Sequence, residues 1–342
     1  EIRNENEVVI DGQYLGRLNG LKLELDLKSG SLKTDIKSLQ KAARQAIAPE
    51  LFKRVNEIIK SDTFKLEADH KIYWGGNPIA YITKGSNYLN PKLKLVVDEA
   101  IDFESSEKLI IYLEKKLKTL ILSELSDLVN LSKAKFKNNY VRALCYQLFE
   151  NNGVIKREIV HQMIKSISKE DRVNLKKAGI KIGRYNIFLP KMLKPSAVEL
   201  RVNLWKLYFA EDQAYNIPKS GLNFLKNENI KNTKFYLICG FENFQKFYIR
   251  VDILERFFLK VMENSKNGAF KINSDMINLI GCNKENFFKL LELMEYKSKS
   301  SKNKEEQFFI YKPKTTKNKR LKKIEKLSND NPFKKLSELR FR

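Results

Sequence analysis

Basic and aromatic side chains alternate with apolar ones between residues 178 and 208, in a pattern that could bind a phosphate backbone. Ammonium and guanidinium groups neutralise phosphates, and an aromatic ring offers a surface on which bases stack. An ordinary core hairpin with a solvated basic rim explains the same pattern equally well. The candidate binding residues in this stretch are Lys181, Arg184, Tyr185, Lys191, Lys194 and Arg201.

A hairpin followed by a helix must position these side chains. Apolar and polar residues alternate on both sides of the turn 183–186, which predicts two short strands. Pro190 ends the second strand because it has no amide hydrogen for a ladder, and Pro195 suits the first turn of a helix. Arg184 and Tyr185 would then lie at the tip of the hairpin.

Two arrangements of this tip remain open. A turn is a poor place to bury an arginine beside a tyrosine, since both polar ends need partners, so exposed side chains that contact a strand are one arrangement. In the other, Tyr185 packs on Trp205 and Arg184 pairs with an acid such as Glu199.

Residues 179–195 read GIKIGRYNIFLPKMLKP. This segment resembles the C-terminal half of alphaproteobacterial helicases similar to the mitochondrial degradosome RNA helicase. The resemblance is weaker over residues 1–100 and 239–296, and residues 331–336 resemble a short Pro-Phe terminal motif of the same family. It implies an accessory region that follows an ATP-driven RecA-type motor. The implied partners are single-stranded RNA or DNA, the upstream motor domains and a nuclease.

The chemistry of ATP hydrolysis is not expected in this chain alone. Its closest approach to a phosphate-binding loop, Gly30 to Thr34, has the wrong spacing, and a Gly-Lys dipeptide occurs nowhere. Asp98 follows an apolar run as a magnesium ligand would, but it aligns with Asp26 of an apparent repeat, so a strand-ending carboxylate is favoured. By resemblance, ATP and Mg²⁺ belong to the motor, and no cofactor is expected here.

The net charge of +24 is unevenly distributed. Residues 1–30 hold four basic and six acidic side chains, whereas residues 297–326 hold twelve basic and three acidic ones. This polarity favours a polyanionic partner, nucleic acid before an anionic membrane surface. AT-rich coding, which raises the content of Lys and Asn, is a competing explanation. Further candidate binding residues are Lys297, Lys299, Lys302 and Arg320.

The composition predicts a globular chain of two or three domains. Three cysteines and two histidines match neither a zinc site nor a disulfide framework. Without a disulfide framework, a reducing cytoplasm is the expected location. No apolar run reaches the roughly 20 residues of a membrane span. The chain begins without methionine, and we interpret it as a fragment or a processed product.

Two further patterns suggest modules. Residues 75–82 resemble residues 11–18, and residues 93–98 resemble residues 21–26, which indicates two strand-strand-helix repeats unless alternating strands coincide by chance. Residues 270–311 predict a strand, a helix capped by Ser274, a turn at Gly281, a second helix and a basic hairpin. This order is typical of a winged helix, a module that binds nucleic acid or protein.

We therefore predict an α+β, mostly helical chain. Its parts are a duplicated strand-strand-helix module over 1–130, a helical domain with a β-hairpin over 131–212, a linker over 213–234, a winged-helix-like domain over 235–312 that opens with two strands, and a disordered basic tail over 313–342. The expected function is that of a nucleic-acid-binding accessory region of an ATP-dependent RNA helicase, which guides single-stranded RNA or docks a degradation partner. The alternatives are a winged-helix DNA-binding regulator and a structural scaffold for a nuclease.

Overall fold

The computed structural model describes residues 2–3, 6–10, 13–26, 33–134, 136–209, 215–227, 232–266, 268–300 and 307–312. The fold is α+β, with helices and several small antiparallel sheets. The helices are α1 (Lys33–Ser61), α2 (Phe103–Glu124), α3 (Ser126–Lys133), α4 (Asn139–Glu150), α5 (His161–Lys165), α6 (Lys169–Lys177), α7 (Pro195–Phe209), α8 (Thr233–Ile238), α9 (Val251–Asn264), α10 (Ser274–Ile280) and α11 (Lys284–Leu293).

Eighteen strands form five sheets within these described residues. They are β1 (Ile2–Arg3), β2 (Glu7–Ile10), β3 (Gln13–Asn19), β4 (Lys22–Leu25), β5 (Lys65–Leu66), β6 (Lys71–Trp74), β7 (Asn77–Thr83), β8 (Lys92–Leu95), β9 (Val154–Lys156), β10 (Lys181–Ile182), β11 (Asn186–Phe188), β12 (Phe224–Lys226), β13 (Phe241–Phe244), β14 (Phe247–Arg250), β15 (Ser265–Lys266), β16 (Ala269–Lys271), β17 (Tyr296–Ser300) and β18 (Gln307–Tyr311).

The chain divides into two compact units, Glu1–Glu255 and Arg256–Arg342. The division falls inside α9 and not in the predicted linker 213–234. That segment instead supplies β12, which pairs with β14, and the ring of Phe224 lies 5.3 Å from that of Phe247. Aromatic residues among the Asn and Lys residues of this segment give it enough apolar surface to join a sheet.

Two sheets of the first unit share one design. Their strands follow the orders β1-β2-β3-β4 and β5-β6-β7-β8, and each second strand has one register shift, between Val8 and Val9 or between Ile72 and Tyr73. These shifts lie 64 positions apart in the sequence. The fourth strands, β4 and β8, are separated by a different number of positions. Leu25 of β4 pairs with Gly16, and the residue at the equivalent place in β8 is Leu95, which pairs with Ala80. Asp98 is therefore not at the position of Asp26, and that part of the predicted alignment is wrong by two residues.

The extra residues between β7 and β8 attach the second sheet to α4. Tyr88 in this loop is buried, its ring lies 5.1 Å from the ring of Phe149, and its hydroxyl donates to the Phe149 carbonyl over 2.8 Å. Burial raises the pKa of Tyr88 above its ordinary value. The insertion that shifts the alignment thus has a packing role.

The long helix α1 continues through Pro49 without a break. A proline inside a helix removes one hydrogen bond. Burial of a continuous apolar face on both sides of the proline offsets this loss of stability. That face is buried at Ala43, Ile47, Leu51, Val55 and Ile58. Farther along the chain, two helices, α2 and α3, are divided at Leu125.

The predicted hairpin is confirmed, because β10 and β11 pair antiparallel and β9 extends the sheet. Pro190 opens a 3₁₀ turn, Pro190–Leu193, and Pro195 opens α7 as expected. The strand predicted over 235–241 is wrong in its first part, since α8 occupies it. Asn232 caps that helix by accepting the Phe235 N–H, and this local cap prevails over β propensity.

The second unit contains a sheet of order β15-β16-β18-β17 with α10 and α11 between β16 and β17. Gly281 ends α10 in the left-handed conformation at φ 78°. Asn273, one residue before the predicted Ser274, caps this helix by accepting the Met276 N–H. The predicted basic tail, 313–342, lies outside the described residues.

Candidate nucleic-acid interface

The tip of the hairpin packs back on the protein. The Tyr185 N–H donates to Glu255 Oε1 over 2.9 Å, and the Tyr185 ring meets the ring of Phe244 edge-on at 5.9 Å. The Tyr185 ring therefore packs on β13. Arg184 is exposed at the tip.

Close contacts hold the turn in one conformation. A Cβ atom at Gly183 would overlap the carboxylate of Glu255, so only glycine fits there. Arg157 donates to the Gly183 carbonyl over 2.7 Å, and the Asn186 side chain donates to buried Glu242 over 2.5 Å. The hairpin is thus a fixed element that sets the position of the side chains beside it.

Arg201 does not belong to the surface, which corrects our expectation. Its side chain is fully buried, and its guanidinium donates to the carbonyls of Met192, Asn152 and Ile238. Burial lowers the pKa of Arg201 to about 10. The residue lies on the inner face of α7, and it joins three chain segments instead of binding a ligand.

The three lysines around the hairpin are exposed. The Lys181 ammonium lies 5.7 Å from the centre of the Phe188 ring, and that of Lys191 lies 3.0 Å from the carboxylate of buried Asp127. Lys194 follows the 3₁₀ turn. In the second unit Lys297 is exposed and Lys299 lies in β17, while Lys302 and Arg320 are outside the described residues.

One of the predicted residues lines a groove of about 600 Å³. We call it the basic groove, and it runs between the loop after β9, α6 and the strand β10. Its lining consists of four cationic side chains and a largely apolar floor: Arg157, Arg172, Lys176, Lys181, Gly179, Ile180, Ile182 and Pro190.

Backbone carbonyls orient the two arginines of the groove. Arg157 donates to Gly183 as described, and Arg172 donates to the Ile164 carbonyl over 2.7 Å. Both side chains are half-buried. A carbonyl occupies one N–H of a guanidinium and leaves its charge uncompensated, so the remaining donors stay available.

The cations of the basic groove lack acidic partners. Within the described ranges, no carboxylate lies in ion-pair distance of Arg157, Arg172, Lys176 or Lys181, whereas some lysines elsewhere on the first unit are paired, as Lys108 is with Glu104 at 2.5 Å. Four uncompensated charges in one groove repel one another, and this repulsion would be relieved by an anion.

Three of these cations were missed because they come from separate elements. Arg157 follows β9, whereas Arg172 and Lys176 lie on α6. The only local signal was the Lys176-Lys177 pair in the last turn of α6, where cations are generally favourable. Their convergence on β10 depends on tertiary packing.

The exposed side of α11 carries no excess charge. Lys284 and Lys289 stand beside Glu285 and Glu292 there, and Lys289 pairs with Glu285. This helix therefore differs from the basic groove, since its exposed cations are balanced by acids.

Across the described residues, no group of three or more histidine, cysteine or acidic side chains could hold a metal ion. No helix in this part of the chain has the length and apolarity to cross a bilayer. No protein-family model matches the chain, and neither a curated protein nor a solved structure matches it.

Proposed function

We propose that this chain is the nucleic-acid-binding accessory region of an ATP-dependent RNA helicase, and that its basic groove holds a single-stranded RNA. The observation that carries the binding role is the set of four cations without acidic partners in one groove. The assignment to a helicase rests on the sequence resemblance of residues 179–195.

Phosphates fit this groove for two reasons. Each neutralised phosphate releases condensed counterions, a favourable term that grows with the number of contacts. A guanidinium also offers paired donors that match two phosphate oxygens, and Arg157 and Arg172 are already oriented by carbonyls.

The floor of the groove favours an unpaired strand. Ile180, Ile182 and Pro190 place apolar surface between the cations. A duplex presents only sugars and phosphates outside its grooves, whereas the bases of a single strand are apolar on both faces and can cover such a floor.

Paired variants test the binding role. The groove variant Lys176→Gln with Lys181→Gln should weaken the binding of a single-stranded RNA about tenfold, on the order of 1.4 kcal/mol. It should also reduce the slope of log K against log salt by about 1.4, since each phosphate contributes about 0.7. Fluorescence anisotropy over a salt series measures both quantities.

The matched control is Lys53→Gln with Lys108→Gln, which removes the same charge from two exposed lysines that have acidic neighbours. If net charge alone drives binding, both double variants lose the same affinity and the groove has no special role. Sequencing upstream of the codon for Glu1 tests the helicase assignment, and a frame without a motor would reject it.

For the second unit we propose a winged helix that docks a protein partner, such as a nuclease. The succession β16, α10, α11, β17, β18 and the pairing of β18 with both β16 and β17 support this module. The balanced charges of α11 favour protein docking over DNA reading, because a helix in a DNA groove faces phosphates on both sides.

We further propose that the two four-stranded sheets are copies of one module, each followed by a helix. Each sheet has its register shift at the same place, in its second strand, and this supports the duplication. Fusing β7 to a β8 segment without the Tyr88 loop should give a sheet that still pairs but no longer packs on α4.

A further inference from the structure

A second cavity, of about 500 Å³, shares no residue with the basic groove. We call it the α7 cleft. It lies between the turn that joins β5 to β6, one side of α7 and residues 216–222, and Cys239, Phe241 and Arg250 complete its walls. Every lining residue belongs to the first unit.

One half-buried cation in this cleft is uncompensated. The Lys206 ammonium donates to the Tyr215 carbonyl and lies 5.2 Å from the centre of the Phe235 ring, and no carboxylate in the described part of the chain pairs with it. Burial lowers the pKa of Lys206. An ammonium that has lost part of its water and has no counter-charge would be stabilised by an anion.

Three other charged residues line the cleft, the cations Arg250 and Lys219 and the carboxylate Glu199, and the last two are exposed. Arg250 is bound by both carboxylate oxygens of Asp252, at 2.6 and 3.0 Å, and Lys219 is exposed at the rim. Lys206 is therefore the half-buried cation of the cleft that has no carboxylate partner among the described residues, whereas Glu199 and Lys219 are exposed to solvent.

A strained histidine forms part of the opposite wall. His70 has a φ of 66°, a conformation that is costly for a residue other than glycine or asparagine. Its Nε2 atom lies 3.0 Å from the Asn203 carbonyl oxygen. Because a carbonyl only accepts, Nε2 is the donor of this hydrogen bond.

Apolar surface fills the space between these polar groups. Leu193, Val198 and Phe241 line the cleft together with the buried thiol of Cys239, whose pKa is raised to about 12 by burial and which is therefore neutral. A ligand that met only the cation would leave this surface in contact with water.

We propose that the α7 cleft binds a small organic anion, with its carboxylate or phosphate beside Lys206 and an apolar body against Leu193, Val198 and Phe241. A cavity of this size is in the range that small ligands occupy in proteins. The proposal is independent of RNA binding, since no residue of the basic groove takes part.

Calorimetric titration of the full chain with three eight-carbon probes tests the site. Octanoate and octyl phosphate should bind at least tenfold more tightly than 1-octanol, and the ratio of the two anions identifies the preferred head group. Lys206→Met should bring both anions to the affinity of the alcohol. Lys194→Met, which removes an exposed lysine outside the cleft, should change nothing.

A second variant guards against misfolding. Val198→Phe fills the cleft while it keeps Lys206, and it should abolish the binding of all three probes without weakening RNA binding. The proposal is overturned if octanol binds as tightly as the anions, or if neither variant changes the affinity for octanoate.

Discussion

Arg201 shows at the scale of one residue how a cation can be structural. Its guanidinium is buried without a carboxylate, and three carbonyls from the 3₁₀ turn, the end of α4 and α8 accept its hydrogens. A charge in this position is costly, but its fixed fork of donors can satisfy several acceptors at once. In the sequence it is indistinguishable from the exposed lysines nearby.

Arg201→Met should lower the free energy of unfolding by about 2–4 kcal/mol. Methionine keeps most of the volume, but three buried carbonyls lose their donor, and each unsatisfied polar group costs about 1–3 kcal/mol before the relief of the buried charge is subtracted. Urea denaturation measures the change, with Lys194→Met as a control that should stay within about 0.5 kcal/mol. Unchanged stability would mean that the carbonyls find water.

Two buried thiols should make stability depend on pH. Burial raises the pKa of Cys145 and of Cys239 to about 12, whereas an unfolded thiol has a pKa near 9. The unfolded chain therefore binds fewer protons above pH 9, so the stabilising contribution is complete below pH 9 and is lost as the pH rises towards 12.

Each thiol should contribute a loss of about 1 kcal/mol between pH 9 and pH 10. Urea titrations at pH 8, 9 and 10 measure this slope, which reflects any other group that titrates in the range as well. The double variant Cys145→Ala with Cys239→Ala should have a slope smaller by the amount of both thiols. An equal slope in the variant would contradict the assignment.

At the scale of elements, the sequence predicts where the strands of the hairpin begin and end, but it does not predict which elements pack against the hairpin. Alternation, Pro190 and Pro195 act within a few residues of the backbone, so their effects can be derived from the sequence. Glu242 and Glu255, which hold the turn, lie more than fifty residues further along. Their role depends on how β13 and α9 pack against the hairpin.

The same distinction applies to the basic groove. Lys181 was identified because it lies in a patterned hairpin, while Arg157 and Arg172 lie in segments that carry no such pattern. The helix α1 likewise continues past Pro49 because the buried apolar face on both sides outweighs a local propensity. Propensities predict an element, and long-range contacts decide what it adjoins.

The two tip residues of the hairpin should respond differently to mutation. Tyr185→Ala removes a ring that packs on Phe244 and should lower stability by about 1–2 kcal/mol. Arg184→Ala removes an exposed side chain and should weaken RNA binding about threefold with little change in stability. Thermal unfolding and anisotropy on both variants separate the effects, and the reverse outcome would show that the tyrosine contacts the strand.

At the scale of the whole molecule, a net charge of +24 by itself predicts diffuse attraction to any polyanion. The fold divides that charge into different kinds of surface. Some lysines of the first unit are balanced by neighbouring acids, α11 is neutral on its exposed side, and the basic groove keeps uncompensated cations. Affinity and selectivity should therefore come from different parts of the chain.

Deleting residues 313–342 should separate these two contributions. The segment carries eleven basic and three acidic residues, and cations attract the phosphates of any strand. The deletion should weaken the binding of single-stranded RNA and of duplex RNA by similar factors, and it should flatten the salt dependence of both affinities. The preference for the single strand should persist, because it depends on the apolar floor of the groove. When the deletion is combined with Lys176→Gln and Lys181→Gln, the losses of binding free energy should add, as expected for distant contacts. Anisotropy over a potassium chloride series measures all of these quantities, and an unchanged slope after the deletion would mean that residues 313–342 do not contact nucleic acid.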